Sequence, residues 1–133
     1  MLFETARDAG ERAYAPYSDY KVGAALKSAG GGIYAGGNAE LANYKGTCAE
    51  AGAIAAMITA GERQIEAIAI VGPGDDLCTP CGDCRQRIRE FATAETRIHI
   101  FAKNGVLMKT YTMEELLPDS FGPANLSAGK ISR

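Results

Sequence analysis

The chain has 133 residues, the length of one domain able to bury a core without staples. Its 47% apolar and 23% charged residues are an ordinary globular balance, and a net charge of −2 gives no basic footprint for a nucleic acid polymer. No apolar run reaches the roughly 18 residues of a membrane span, and MLFETARDAGERAY lacks the order of a secretory signal, so the chain is expected in the cytoplasm without a membrane partner.

In chain order, Leu2, Phe3, Ala6, Ala9 and Ala13 fall at helical spacing and predict a first helix, weakly interrupted at Gly10. A turn-rich link, APYSDY, leads into YKVGAALKS and GIYAGGN, two strands of a hairpin joined by AGGG. CAEAGAIAAMITAGE is rich in alanine, has no proline and stops at Gly61, which predicts a helix with a glycine cap. IEAIAIVG predicts a buried strand, and CGDCRQRIREFA a helix opened by Pro80. RIHIFAK and VLMKTY predict two further strands, and TMEELLP a short helix with Thr112 and Glu115 as its capping box. The order α-β-β-α-β-α-β-β-α implies crossover units with helices on both faces of one mixed sheet, within a single domain over residues 1–133. The tail, residues 122–133, has little to bury and is expected to be mobile.

Four cysteines, Cys48, Cys78, Cys81 and Cys84, stand where a reducing compartment favours metal ligands or reactive thiols over disulfides. Cys48-Ala49-Glu50 opens one helix and Pro80-Cys81-Gly82-Asp83-Cys84 the next, so both helix N-termini can face one centre and favour thiolates there. Catalytic zinc commonly takes three protein ligands and leaves its fourth position open. Cys48, Cys81 and Cys84 suit that role, with Glu50 placed to accept a proton from bound water and pass it on. The pattern matches the cysteine form of the zinc-deaminase signature. The rival is a closed, structural four-thiolate site completed by Cys78, which leaves Glu50 without a task. His99, between Ile98 and Ile100, reads as a satisfied strand histidine.

Several motifs in order, AYAPYSDYKVGAAL, GGNAELANY, CAEAGAI, TPCGDCRQ and EELLPDSF, resemble the short, homotetrameric branch of the cytidine deaminase family over nearly the whole chain. The resemblance implies a three-layer α/β/α sandwich around a mixed five-stranded sheet. It also implies Zn2+ held by Cys48, Cys81 and Cys84, with Glu50 as proton shuttle. Asn38 and Glu40 match a ribose clamp, Tyr20 an aromatic lining the base pocket, and Ala49, Thr79 and Cys81 the main-chain groups that hold the base edge. Phe121 matches an aromatic that reaches a neighbouring subunit's site, so that oligomerisation completes the pocket. The implied reaction is hydrolytic deamination of cytidine or deoxycytidine to the uridine nucleoside and ammonia, in pyrimidine salvage. The alternatives are a modified cytosine nucleoside or a nucleoside antibiotic such as blasticidin S as substrate, or a non-catalytic zinc domain.

Two positions depart from the family. Ala51 stands where it usually has an arginine that offsets the charge of the ligand sulfurs, and Leu41 where many relatives have asparagine. Arg87, one turn beyond Cys84, is the expected replacement for that arginine, against the plainer reading of a solvated helix face shared with Arg85 and Arg89.

Overall fold

The computed structural model describes residues 1–127. Five strands form one mixed sheet in the order β2-β1-β3-β4-β5. In sequence these are α1 (Leu2–Glu11), β1 (Gly23–Ser28), β2 (Ile33–Gly37), α2 (Ala49–Thr59), β3 (Ile65–Val71), α3 (Gly82–Phe91), β4 (Ala92–Phe101), β5 (Leu107–Thr112), α4 (Met113–Leu116) and α5 (Pro123–Ser127). β3 and β4 run parallel, joined through α3, and the other pairings are antiparallel.

Strand alternation sorts the core into two layers. Ala24, Leu26, Ile68, Ile70, Ile98 and Ile100 project to one face and pack with Ala49, Ala53 and Met57 of α2, Ile88 of α3 and Leu116 of α4. Ala25, Ala69 and Val71 project to the other, against Ala6 with Leu2 and Phe3 of α1. The sandwich is therefore thick on the face that carries α2 and α3, and covered by a single helix on the other.

α1 continues through Gly10, where an interruption was expected. A Cβ on Gly23 would lie 1.8 Å from the Ala6 carbonyl oxygen and 2.6 Å from the Gly10 nitrogen, so helix and strand touch backbone to backbone. Gly10 is a contact residue rather than a helix break. α2 ends as the glycine implied: Gly61 has φ +93°, its amide bonds the Ile58 carbonyl and that of Glu62 bonds Met57. The Thr112–Glu115 capping box is present in both directions. β1 begins three residues later than YKVGAALKS suggested, because Tyr17–Val22 bonds to the stretch after β2 instead of to a neighbouring strand. Within the tail, Pro123–Ser127 forms α5, and Gly122 and Pro123 are buried. The rest of the tail expected to be mobile lies outside the described residues.

Candidate active site

α2 and α3 each begin at a cysteine. Cys48 is the N-cap of α2 and Cys81 the N-cap of α3, both extended, and neither helix start carries a side-chain cap. The first-turn amides are thus left to other acceptors, and two helix N-termini with their partial positive charge converge on one point. Cys84, one turn into α3, is fully buried beneath them.

The sulfurs of Cys48, Cys81 and Cys84 lie within 4.8 Å of one another, with Cys48 and Cys81 separated by 3.8 Å. Tetrahedral zinc with Zn–S bonds of about 2.3 Å spaces its sulfurs by about 3.8 Å, so this donor set fits the ion. Its electrostatics also call for a cation. Burial raises the Cys48 thiol pKa, and the charges of Cys81 and Glu50 raise it further. Burial likewise pushes Cys84 strongly up, followed by the charges of Glu50, Cys48 and Cys81. Three thiolates and a carboxylate coexist there only around a positive charge.

Glu50 is 4% exposed in the first turn of α2, and burial pushes its carboxyl above the usual range. It shares a cavity of about 250 Å3 with Tyr20, Asn38, Cys48, Ala49, Cys78, Thr79 and Cys81. Cys78 lies outside the three-sulfur cluster found among the described residues. Its thiol meets the Tyr20 phenol, which that contact raises in pKa. The closed four-thiolate arrangement is therefore not the one adopted.

Asn38 and Glu40, expected as a sugar clamp, are divided between two hollows. Asn38 lines the cavity, with its Nδ2 donating to the Tyr20 carbonyl and its Oδ1 accepting the Val22 amide. Glu40 lines the next groove, about 330 Å3, with Tyr17, Ser18, Leu41, Tyr44 and Gly46. Phe121 is 56% exposed and outside the cavity, and its carbonyl accepts from Gln86. His99 is satisfied in its strand, where Nδ1 meets Thr110 Oγ1 at 2.8 Å.

Arg87 is not at the sulfurs. Its Nε donates to Asp83 Oδ2 across 3.1 Å, and it lines a surface groove with Ala51, Ile54 and Ile58. Three residues along a helix turn a side chain by about 60°, enough to move it from the buried face of Cys84 to the rim. The arginine that reaches the loop before Cys81 is Arg85, read from the sequence only as part of a basic face. Its Nε donates to the Pro80 carbonyl (2.8 Å), Nη2 to Thr79 Oγ1 (3.1 Å) and Nη1 to the Leu116 carbonyl (2.8 Å). It thereby ties the loop before Cys81 to the end of α4. Tyr44 lines the same groove as Glu40. It is 90% exposed, holds φ +62° and meets Tyr17 edge-on, a strained placement for a bulky residue that no sequence signal announces.

Two cysteine-capped helices thus set three sulfurs at zinc spacing beside a buried carboxyl, at the wall of a cavity. Residues 1–100 match the model of the cytidine and deoxycytidylate deaminase zinc-binding region, and the chain belongs to that family. Among its relatives, it is 38% identical to the cytidine deaminase of Sporosarcina psychrophila, covering 95% of this chain and 93% of that one. It is 39% identical to that of Halalkalibacterium halodurans, covering 91% and 92%. The crystal structure of cytidine deaminase from Burkholderia pseudomallei superposes with a TM-score of 0.84 at 39% identity, over 90% of this chain and 96% of that one. That from Mycobacterium tuberculosis gives 0.80 at 33% identity, over 92% and 96%.

Proposed function

We infer that this chain is a zinc-dependent hydrolase that deaminates cytidine and deoxycytidine to the uridine nucleosides and ammonia. The observation that carries the reading is the buried Glu50 carboxylate beside three sulfurs at zinc spacing, in a cavity open to a small molecule. Names of relatives similar over most of their length support the substrate.

Cys48, Cys81 and Cys84 would hold zinc, which when bound supplies an activated water at neutral pH. The chain's own groups do the rest. Glu50, raised by burial toward the working range of an acid–base group, takes a proton from the attacking water and gives it to ring N3. Water oxygen adds at C4; Glu50 then takes the remaining proton from that oxygen and passes it to the C4 amine, which departs as ammonia as the C4 carbonyl forms. Tyr20 walls the base, and main-chain groups of Ala49, Thr79 and Cys81 hold its edge. Arg85 keeps Thr79 and Pro80 in place. Asn38 and Glu40 clamp the sugar. Two helix N-termini, and not Arg87, offset the thiolate charge that Ala51 leaves uncovered.

We propose further that residues 1–133 form one domain acting in the cytoplasm in pyrimidine salvage. The chain assembles as a homotetramer in which Phe121 of one copy enters the site of another. The exposure of Phe121, Tyr44 and the Ile58 side of α2 supports such contacts. No helix among the described residues is long and apolar enough to cross a membrane, and the net charge of −2 favours a nucleoside over a polymer. The test is an ultraviolet assay of ammonia-releasing turnover on cytidine, deoxycytidine and 5-methylcytidine, with zinc analysis alongside. Turnover of the first two with bound zinc is expected, and zinc without turnover of any would overturn the reading.

A further inference from the structure

Glu40 and Asn38 both reach across to one short segment, Tyr17–Val22, which runs beside the stretch after β2. The Asn38 amide bonds the Val22 carbonyl at 3.2 Å, and just before the segment the Tyr14 amide bonds the Asn38 carbonyl and the Glu40 amide the Tyr14 carbonyl, each at 2.8 Å. A turn then brings two consecutive amides to bear on the Glu40 carboxylate. The Asp19 amide bonds the Ala15 carbonyl, and Asp19 takes the left-handed conformation at φ +57°. Oε1 of Glu40 accepts the amides of Tyr17 (3.0 Å) and Ser18 (3.1 Å), which uses both its lone pairs. Oε2 accepts the Ser18 hydroxyl.

The hydroxyl has a single proton, and its direction is settled locally. Ser18 Oγ itself accepts the Tyr20 amide at 3.0 Å, so the proton is committed to Glu40 Oε2. The Ser18 hydrogen bond is also the first cause holding the Glu40 carboxyl below its ordinary range. What Glu40 has left is one lone pair, on Oε2. Asn38, bonded on each side to Tyr20 and Val22, keeps one donor and one acceptor site. The clamp can therefore accept from a sugar hydroxyl at two atoms and donate to one from a single N–H.

We propose that Ser18 is the positioning residue of the sugar subsite, fixing Glu40 as an aimed, ionised acceptor for a secondary hydroxyl of the nucleoside. This rests on the reading of Asn38 and Glu40 as the sugar clamp. Ser18 touches no reacting atom. It acts through Glu40: its loss would leave the carboxylate held through Oε1 alone by the Tyr17 and Ser18 amides, with Oε2 no longer aimed, and the Tyr20 amide without its partner.

The test compares Ser18→Ala, Ser18→Thr and Glu40→Ala in the zinc-loaded enzyme on cytidine and on 2′,3′-dideoxycytidine, which lacks both secondary hydroxyls. Thermal midpoint and zinc content serve as folding controls. On cytidine, Ser18→Ala is expected to raise KM by about 5- to 10-fold, the worth of one aimed hydrogen bond, with kcat within about twofold. On the dideoxynucleoside its kcat/KM should change by less than about twofold, and Ser18→Thr, which keeps the hydroxyl, should restore most of the loss on cytidine. Equal effects of Ser18→Ala on the two substrates, large or absent, would overturn the proposal. If Glu40→Ala still discriminates between the substrates in that case, the clamp itself stands. If Glu40→Ala also affects both equally, the clamp reading fails and the role of Ser18 with it.

Discussion

Cys48, Cys81, Cys84 and the buried Glu50 are brought together by the starts of two helices. Their grouping was legible because donor side chains at helix starts leave a fixed interval in the sequence. Asn38 and Tyr20 came with the family motifs, and both line the cavity. The arginines could not be assigned that way. Arg85, Arg87 and Arg89 crowd five positions, and which one faces the site depends on the rotation of α3 against the sheet. That rotation is set by burial of Cys84 and Ile88. Arg85 falls toward the site loop, Arg87 on the rim with Asp83, and Arg89 on Ser120. Arg85→Ala should therefore destabilise the fold by on the order of 2 kcal/mol and raise KM for cytidine, since part-buried charged hydrogen bonds are lost. Arg87→Ala, which breaks an exposed ion pair, should leave stability within about 0.5 kcal/mol and zinc content unchanged. Urea unfolding, steady-state kinetics and metal analysis of the two variants check this. A loss of zinc confined to Arg87→Ala would restore the compensating role first expected of it.

Elements were legible almost throughout, since strands of isoleucine and alanine alternate cleanly and the caps at Gly61 and Thr112 follow local rules. What could not be read is how close the elements approach. Glycines that look like breaks are contact points, at Gly10 against Gly23 and at Gly36 against α2. A Cβ on Gly36 would fall 2.5 Å from the Ala49 carbonyl oxygen and 2.7 Å from the Ala53 nitrogen, both main-chain atoms of the helix that presents Cys48 and Glu50. Gly36→Ala is expected to cost about 1–3 kcal/mol by overpacking. Because α2 must yield at its first turns, the variant should also release zinc to a chelator faster than the unaltered protein. Stability loss with unchanged zinc release would mean that α2 moves as a whole with its partner helix.

At the scale of the molecule, the chain supplies most of a site and holds Phe121 outside it. Gln86 and Arg89 of α3 pin the segment that carries Phe121, through its carbonyl and through Ser120. The ring is exposed on the segment between α4 and α5, which is tied in this way to the helix that begins at Cys81 and carries Cys84. If the ring completes a neighbour's site, chains defective in different parts should complement. Phe121→Ala has an intact Glu50 and Glu50→Gln an intact Phe121. Co-refolding the two should raise turnover above the sum of the separate preparations, and sizing by light scattering should give a tetramer. Strictly additive turnover would place Phe121 outside the chemistry.

In the proposed reaction three thiolates hold zinc while Glu50 alone carries protons between water, ring N3 and the departing amine. The most direct measurement is zinc content and cytidine turnover of Glu50→Gln beside the unaltered protein. The amide keeps the shape of the side chain but cannot take up a proton, so full zinc occupancy is expected with kcat lowered by about 10²–10⁴-fold or more. Full occupancy with an unchanged rate would contradict it.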